Sequence, residues 1–152
     1  MTELRIEPAA GEAALADWRH VHNAIIPTAP LSAEEVRASA RRNRLAVAYL
    51  GDVLVGCSTV RPPADGSTAA TVIARVLPAH RRRGHGAALY AQGVARALEL
   101  GADGIETIIL ASNTDGLDFA LARGFVEVER DLLPGDTVPF ITLRLTRELP
   151  SQ

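Results

Sequence analysis

The chain has 152 residues, 47% of them hydrophobic and 22% charged, which suits one folded domain with a sizeable core and excludes a disordered chain. Sixteen basic against eighteen acidic side chains leave a net charge of −2, so bulk charge makes no case for nucleic acid or an anionic membrane as partner. The lone Cys57 excludes an intrachain disulfide framework and a cysteine-cluster metal site, while "MTELRIEP" lacks a signal-peptide pattern and no apolar run reaches the length of a membrane span; a soluble cytoplasmic protein is expected.

"ELRIEP" alternates as a short strand and stops at Pro8, which cannot donate to a ladder. From Gly11 to Ile26, Leu15, Trp18, Val21 and Ile25 recur at helical spacing, and Pro27 ends the run. "LSAEEVRASARR" opens a second helix with Ser32 as N-cap and Glu35 three residues on, a capping box. "LAVAYLGDVLVGCSTV" reads as two strands about a tight turn at Gly51-Asp52, with Cys57 a small core residue. "STAATVIARVLP" is the next β-rich run. A long helix follows from about His85 to Leu100, closed by Gly101. "GIETIILA" is an apolar strand, "TDGLDFALARG" a helix ending at Gly124, and "FVEVER" and "TVPFITLRL" are closing strands. No repeat, low-complexity tract or linker interrupts residues 3–147, so one α/β domain is expected.

The segment "HRRRGHGAALY", residues 80–90, joins a strand to a helix N-terminus. Such a junction leaves backbone N–H groups unpaired and adds the positive end of the helix dipole, which together make an anion site. Gly84 and Gly86 are expected to take positive φ and let the backbone approach a ligand. The flanking arginines add charge-assisted hydrogen bonds to phosphate oxygens. A diphosphate is the natural guest. The sequence lacks a P-loop, and Leu89 stands where the dinucleotide fingerprint has its third glycine.

Arg81-Arg82-Arg83-Gly84-His85-Gly86 matches the pattern Gln/Arg-x-x-Gly-x-Gly/Ala, and "ARVLPAHRRRGHG" resembles the strand–loop–helix motif of the GCN5-related N-acetyltransferase (GNAT) family. Some thirty residues on, "NTDGLDFALARGF" is similar to that family's second motif, with Asn113, Gly124 and Phe125 in its spacing. The order of elements also resembles the family from about Leu4 to Leu145. The resemblance implies a mixed, mostly antiparallel sheet of about seven strands with four helices, its parallel strands four and five splayed apart. It implies acetyl-CoA as cosubstrate, no metal, and transfer of the acetyl group to a primary amine of a small molecule or peptide. The pyrophosphate would meet the backbone of Arg81, Arg82, Arg83, Gly84, His85, Gly86 and Ala87. The pantetheine arm would pair with the strand at Ala74 and Val76 and touch Asn113, with Phe119 packed on the cofactor. A homodimer is common in the family.

The chain departs from the family at Ala120, the position of the tyrosine that protonates the departing thiolate. Ser112 or water is the substitute acid, and His22, with a histidine's neutral-range pKa, is the candidate base. Glu34, Glu35, Asp131 and Asp136 are read as solvated surface groups. The competing class is a non-catalytic CoA-binding or regulatory domain without the tyrosine acid.

Overall fold

The computed structural model describes residues 3–64 and 66–146; Arg147, the expected end of the domain, lies outside them. Strand β1 (Leu4–Pro8) is followed by helices α1 (Glu12–Ile25) and α2 (Ala33–Arg42), then by strands β2 (Arg44–Leu50), β3 (Val53–Arg61) and β4 (Ala69–Val76). One 3-10 turn (Pro78–His80) leads into α3 (His85–Glu99), β5 (Gly104–Leu110), α4 (Thr114–Ala122), β6 (Phe125–Asp131) and β7 (Phe140–Leu145). The strands form one sheet in the order β1-β2-β3-β4-β5-β7-β6. Every neighbouring pair is antiparallel except β4 with β5.

Local chemistry accounts for the boundaries. Ser32 Oγ accepts from Glu35 N at 3.1 Å while Glu35 Oε1 accepts from Ser32 N at 2.9 Å, closing the capping box that starts α2. Gly51 turns β2 into β3 with φ 60°. Trp18 and Val21 bury the inner face of α1 beside Val36 of α2, over Leu45, Val47 and Cys57 on one face of the sheet. Leu89 of α3 packs on the opposite face against Ala48 and Val55. At Gly93 the helix lies so close to β4 that an added Cβ would fall 2.5 Å from Val72 Cγ1, so the missing side chain sets the helix–sheet distance.

The parallel junction creates the functional opening. β4 and β5 pair only from Ala69 to Thr71 and from Gly104 to Glu106. Beyond that point β5 continues along β7 as far as Leu110, and β4 continues along β3 as far as Val76. The two strands therefore part in the middle of the sheet, leaving the edge of β4 from Val72 onward unpaired on that side.

Candidate functional site

A cleft of about 440 Å³ opens where β4 and β5 part. Its walls are the free edge of β4, the turn into α3, the first turns of α3 and α4, and Ile25 and Ile26 at the end of α1. Leu77 N donates to Val55 O at 2.8 Å, which fixes the alternation. Odd residues of β4 address β3, and the peptide groups of Val72, Ala74 and Val76 face the cleft. Arg81 Nε donates to Val76 O at 2.8 Å from that side.

The turn ahead of α3 is built for an anion. Arg82 and Gly84 have φ of 66° and 86°, and left-handed residues set among right-handed ones curl successive N–H groups toward one point. Gly84 is the residue immediately before the helix, so the curled amides meet the positive end of the helix dipole. The expectation of positive φ at Gly86 is corrected: Gly86 lies inside α3 and is absent from the positive-φ residues. Its use is steric instead. A Cβ there would stand 3.7 Å from Val76 Cγ2 and 3.8 Å from Phe119 Cε2, between two walls of the cleft.

Of the residues expected from sequence, Ala74, Val76, Arg81, Arg82, Gly84, His85, Gly86, Ala87, Asn113 and Phe119 all line this cleft. Arg83 is exposed and lies off the lining. Arg82 Nη2 donates to Asp115 Oδ1 at 3.0 Å, and Arg81 Nη1 lies 3.8 Å from Asp115 Oδ2, tying the turn to the first turn of α4. Asn113 Oδ1 accepts from Gly116 N at 3.0 Å and caps α4. The Arg123 guanidinium sits 3.6 Å from the centre of the Phe119 ring. His80 Nδ1 and His85 Nε2 are buried without a hydrogen-bond partner among the described residues.

His22 and Ser112 stand outside the lining. The His22 ring stacks on Trp18 with centroids 5.4 Å apart, and its Nε2 is 3.1 Å from Ala29 O. A carbonyl only accepts, so Nε2 carries the proton and Nδ1 keeps a lone pair, which is buried and unpartnered. Burial, set against the Ala29 hydrogen bond and reinforced by Arg75 and Arg61, holds the ring pKa below its ordinary value. Ser112 is exposed on the turn before α4. Glu34, Glu35 and Asp131 are exposed, and neither they nor Asp136 touches the cleft. Cys57 is buried, and that burial pushes its thiol up to about 12.

Among the lining residues that the sequence reading does not assign to the site, two stand out. Tyr90 stands one turn beyond Gly86 on the same face of α3, edge-on to Phe119 and Phe125 at 6.2 and 5.6 Å; its i,i+4 spacing from Gly86 was the available signal. Arg75 lies in β4, and its signal was a charge inside the apolar run "TVIARV".

Residues 11–125 match the model of the acetyltransferase (GNAT) family. The chain belongs to that family. No curated protein matches it in sequence, but solved structures share its fold. YncA from Salmonella typhimurium, solved with its cofactor acetyl-CoA, superposes with a TM-score of 0.75 at 17% identity, covering 98% of this chain and 95% of that one. An N-acetyltransferase from Staphylococcus aureus Mu50 gives 0.76 at 15% identity over 98% and 100%. The ribosomal-protein-alanine N-acetyltransferase of Brucella melitensis gives 0.73 at 19% identity over 92% and 98%.

Proposed function

We propose that the protein transfers the acetyl group of acetyl-CoA directly to a primary amine of a small molecule or peptide. One observation carries this reading. The unpaired edge of β4 leads through one 3-10 turn to the left-handed residues Arg82 and Gly84 and the N-terminus of α3, all bordering one cleft. An extended amide-bearing arm ending in a diphosphate fits that sequence of features. The peptide groups of Val72, Ala74 and Val76 would take the arm as a strand is taken. The amides from Arg81 to Ala87 would take the diphosphate, and the unpartnered nitrogens of His80 and His85 suit the same anion. Phe119 and Asn113 would hold the arm from the α4 side.

Bound acetyl-CoA would supply an activated acetyl group as a thioester. The protein's share is orientation and charge. The cleft-facing N–H of Val76 is the donor suited to the acetyl oxygen. His22 is neutral at pH 7, and both it and Ser112 stand back from the lining, so protons would reach them through water. This makes positioning rather than a resident acid the main source of rate.

Calorimetric titration of acetyl-CoA into the wild type and into Gly86→Val tests the reading. Binding by the wild type, weakened at least about tenfold in a folded Gly86→Val, is expected, because the branched side chain would bridge Val76 and Phe119 across the arm's path. Absence of binding to the wild type would overturn it. Release of CoA thiol in an amine mixture then separates an enzyme from a non-catalytic binding domain. All sixteen basic residues are arginines, so lysine self-acetylation adds no background.

A further inference from the structure

The cleft has a second wall, on the α1–α2 face of the sheet, where Arg75 stands without a counter-charge among the described residues. Arg75 pairs in register with Cys57, and Cys57 belongs to the cluster under α1 and α2. Arg75 thus points to that face, opposite to Ala74 and Val76, which pack toward α3. It lines the cleft beside Ile25 and Ile26. Arg61 and His22 are near enough for their charges to act on one another, and Arg42 acts on Arg61 in turn. The ion pairs among the described residues engage Arg5, Arg81, Arg82, Arg96, Arg130 and Arg144, but none engages Arg42, Arg61 or Arg75. Two further polar atoms on this face, His22 Nδ1 and Thr59 Oγ1, are buried without partners among the described residues.

Arg75 is partly buried while Arg61 and Arg42 are exposed; a cation held in a cleft wall without a counter-charge opposes folding through desolvation and through repulsion from its like neighbours. An arginine does not escape by losing its proton, because its pKa stays far above neutrality. Such a group in a cleft wall is one whose partner arrives with a ligand. The arm of the cofactor, on the reading above, pairs with the edge of β4 and leads to the turn before α3, so the wall on the α1–α2 face is left to the acceptor.

Resting on the acetyltransferase reading, we propose that the acceptor is an amine that also carries a carboxylate, in the manner of an amino acid, and that Arg75 binds that carboxylate. The planar guanidinium matches a carboxylate with two parallel hydrogen bonds. Arg61 adds field that draws the anion in. Arg75 precedes Val76 by one residue, so a carboxylate held there keeps the acceptor's amine close to the Val76 N–H that would face the acetyl oxygen. In the transfer the amine nitrogen forms a bond to the acetyl carbon and the carbon–sulfur bond breaks. The sulfur keeps that electron pair and ends as thiol with the proton the amine gives up.

The test compares the twenty L-amino acids with their carboxamides as acceptors, reading CoA thiol release, in the wild type, Arg75→Met and Arg75→Lys. Acetyl-CoA titration of each protein certifies its fold and cofactor site. The wild type should favour carboxylates over the matched amides by about ten- to a hundredfold in kcat/KM. Arg75→Met should bring that ratio close to one, and Arg75→Lys, which keeps the charge without the fork, should fall between. A wild type that binds acetyl-CoA yet shows no carboxylate preference overturns this inference alone, as does a preference that survives in Arg75→Met. A wild type that binds no acetyl-CoA overturns the acetyltransferase reading beneath it.

Discussion

Ala120 shows how a single side chain is read differently with its neighbours in view. The family resemblance assigns a tyrosine acid to that position, and the natural experiment is to restore it. Ala120 is only 2% exposed, and it belongs to a cluster with Phe125 against which the Tyr90 ring packs. The tyrosine of this corner comes from α3 rather than α4. Ala120→Tyr is therefore expected to overpack the corner and cost about 1–3 kcal/mol in denaturant melts, without a gain in turnover. Shrinking the competing ring should recover much of the loss. In a double-mutant cycle, Ala120→Tyr combined with Tyr90→Ala should be more stable than the sum of the two single losses allows. Additive losses would show that the two side chains do not share the space.

At the scale of elements, the turn before α3 is held to α4 by Asp115, which meets both Arg81 and Arg82. The Arg82 partnership spans 33 residues of sequence. These pairs are partly solvated, the Arg82 side chain being 83% exposed, so they add little to stability. Their effect on ligand binding is larger in kind, because a carboxylate occupies two cations that a diphosphate would use and repels the phosphate itself. Asp115→Asn should leave the melting midpoint nearly unchanged and tighten acetyl-CoA binding several-fold. The gain should shrink as salt rises, since the difference is a screened charge effect. Calorimetry at low and high ionic strength reads both. Weaker binding in the variant would mean that Asp115 orders the turn for the ligand instead of competing with it.

The stability of the whole molecule against acid depends in part on the seam between α1 and the sheet. Burial holds the folded-state pKa of His22 below its ordinary 6.5. Above that value the ring is neutral in both states and contributes no pH dependence. As pH falls through 6.5, the unfolded chain takes up a proton that the folded chain refuses, so stability drops until the lower folded pKa is passed. Glu35 and Glu127 act lower in the scale. Hydrogen bonds from Ser32 and Arg130 depress their pKa values below the ordinary 4.5, so the stability they add is present above that value and is lost as pH falls through the folded pKa. His22→Gln keeps a donor for Ala29 O and does not titrate. Its melting temperature should fall less than that of the wild type between pH 6.5 and pH 5, with the two curves parallel above 7. Identical curves throughout would show that the His22 ring is reached by protons as easily in the folded chain as in the unfolded one.

The sequence by itself determined the elements and the glycine-bearing turn before α3. The capping box at Ser32, the stop at Pro8, the glycine before α3 and the asparagine before α4 act through the backbone of a few neighbouring residues, so their consequences are local and legible. The free edge of β4 belongs to another class. It exists because β5 leaves β4 after Glu106 and follows β7, a choice of partner made by packing between distant segments. Tertiary structure likewise decided that Arg81 and Arg82 meet Asp115 while Arg83 faces solvent, although the three arginines are adjacent and alike in sequence. It turned Ala120 into a packed corner, and it set Arg75, Arg61 and His22 on one face with no carboxylate partner among the described residues. Strand register fixes which face each side chain takes, and only the folded sheet fixes register. A motif records what a short backbone stretch will do; the charge around Arg75 is a sum over residues that meet only once the sheet has closed around its core.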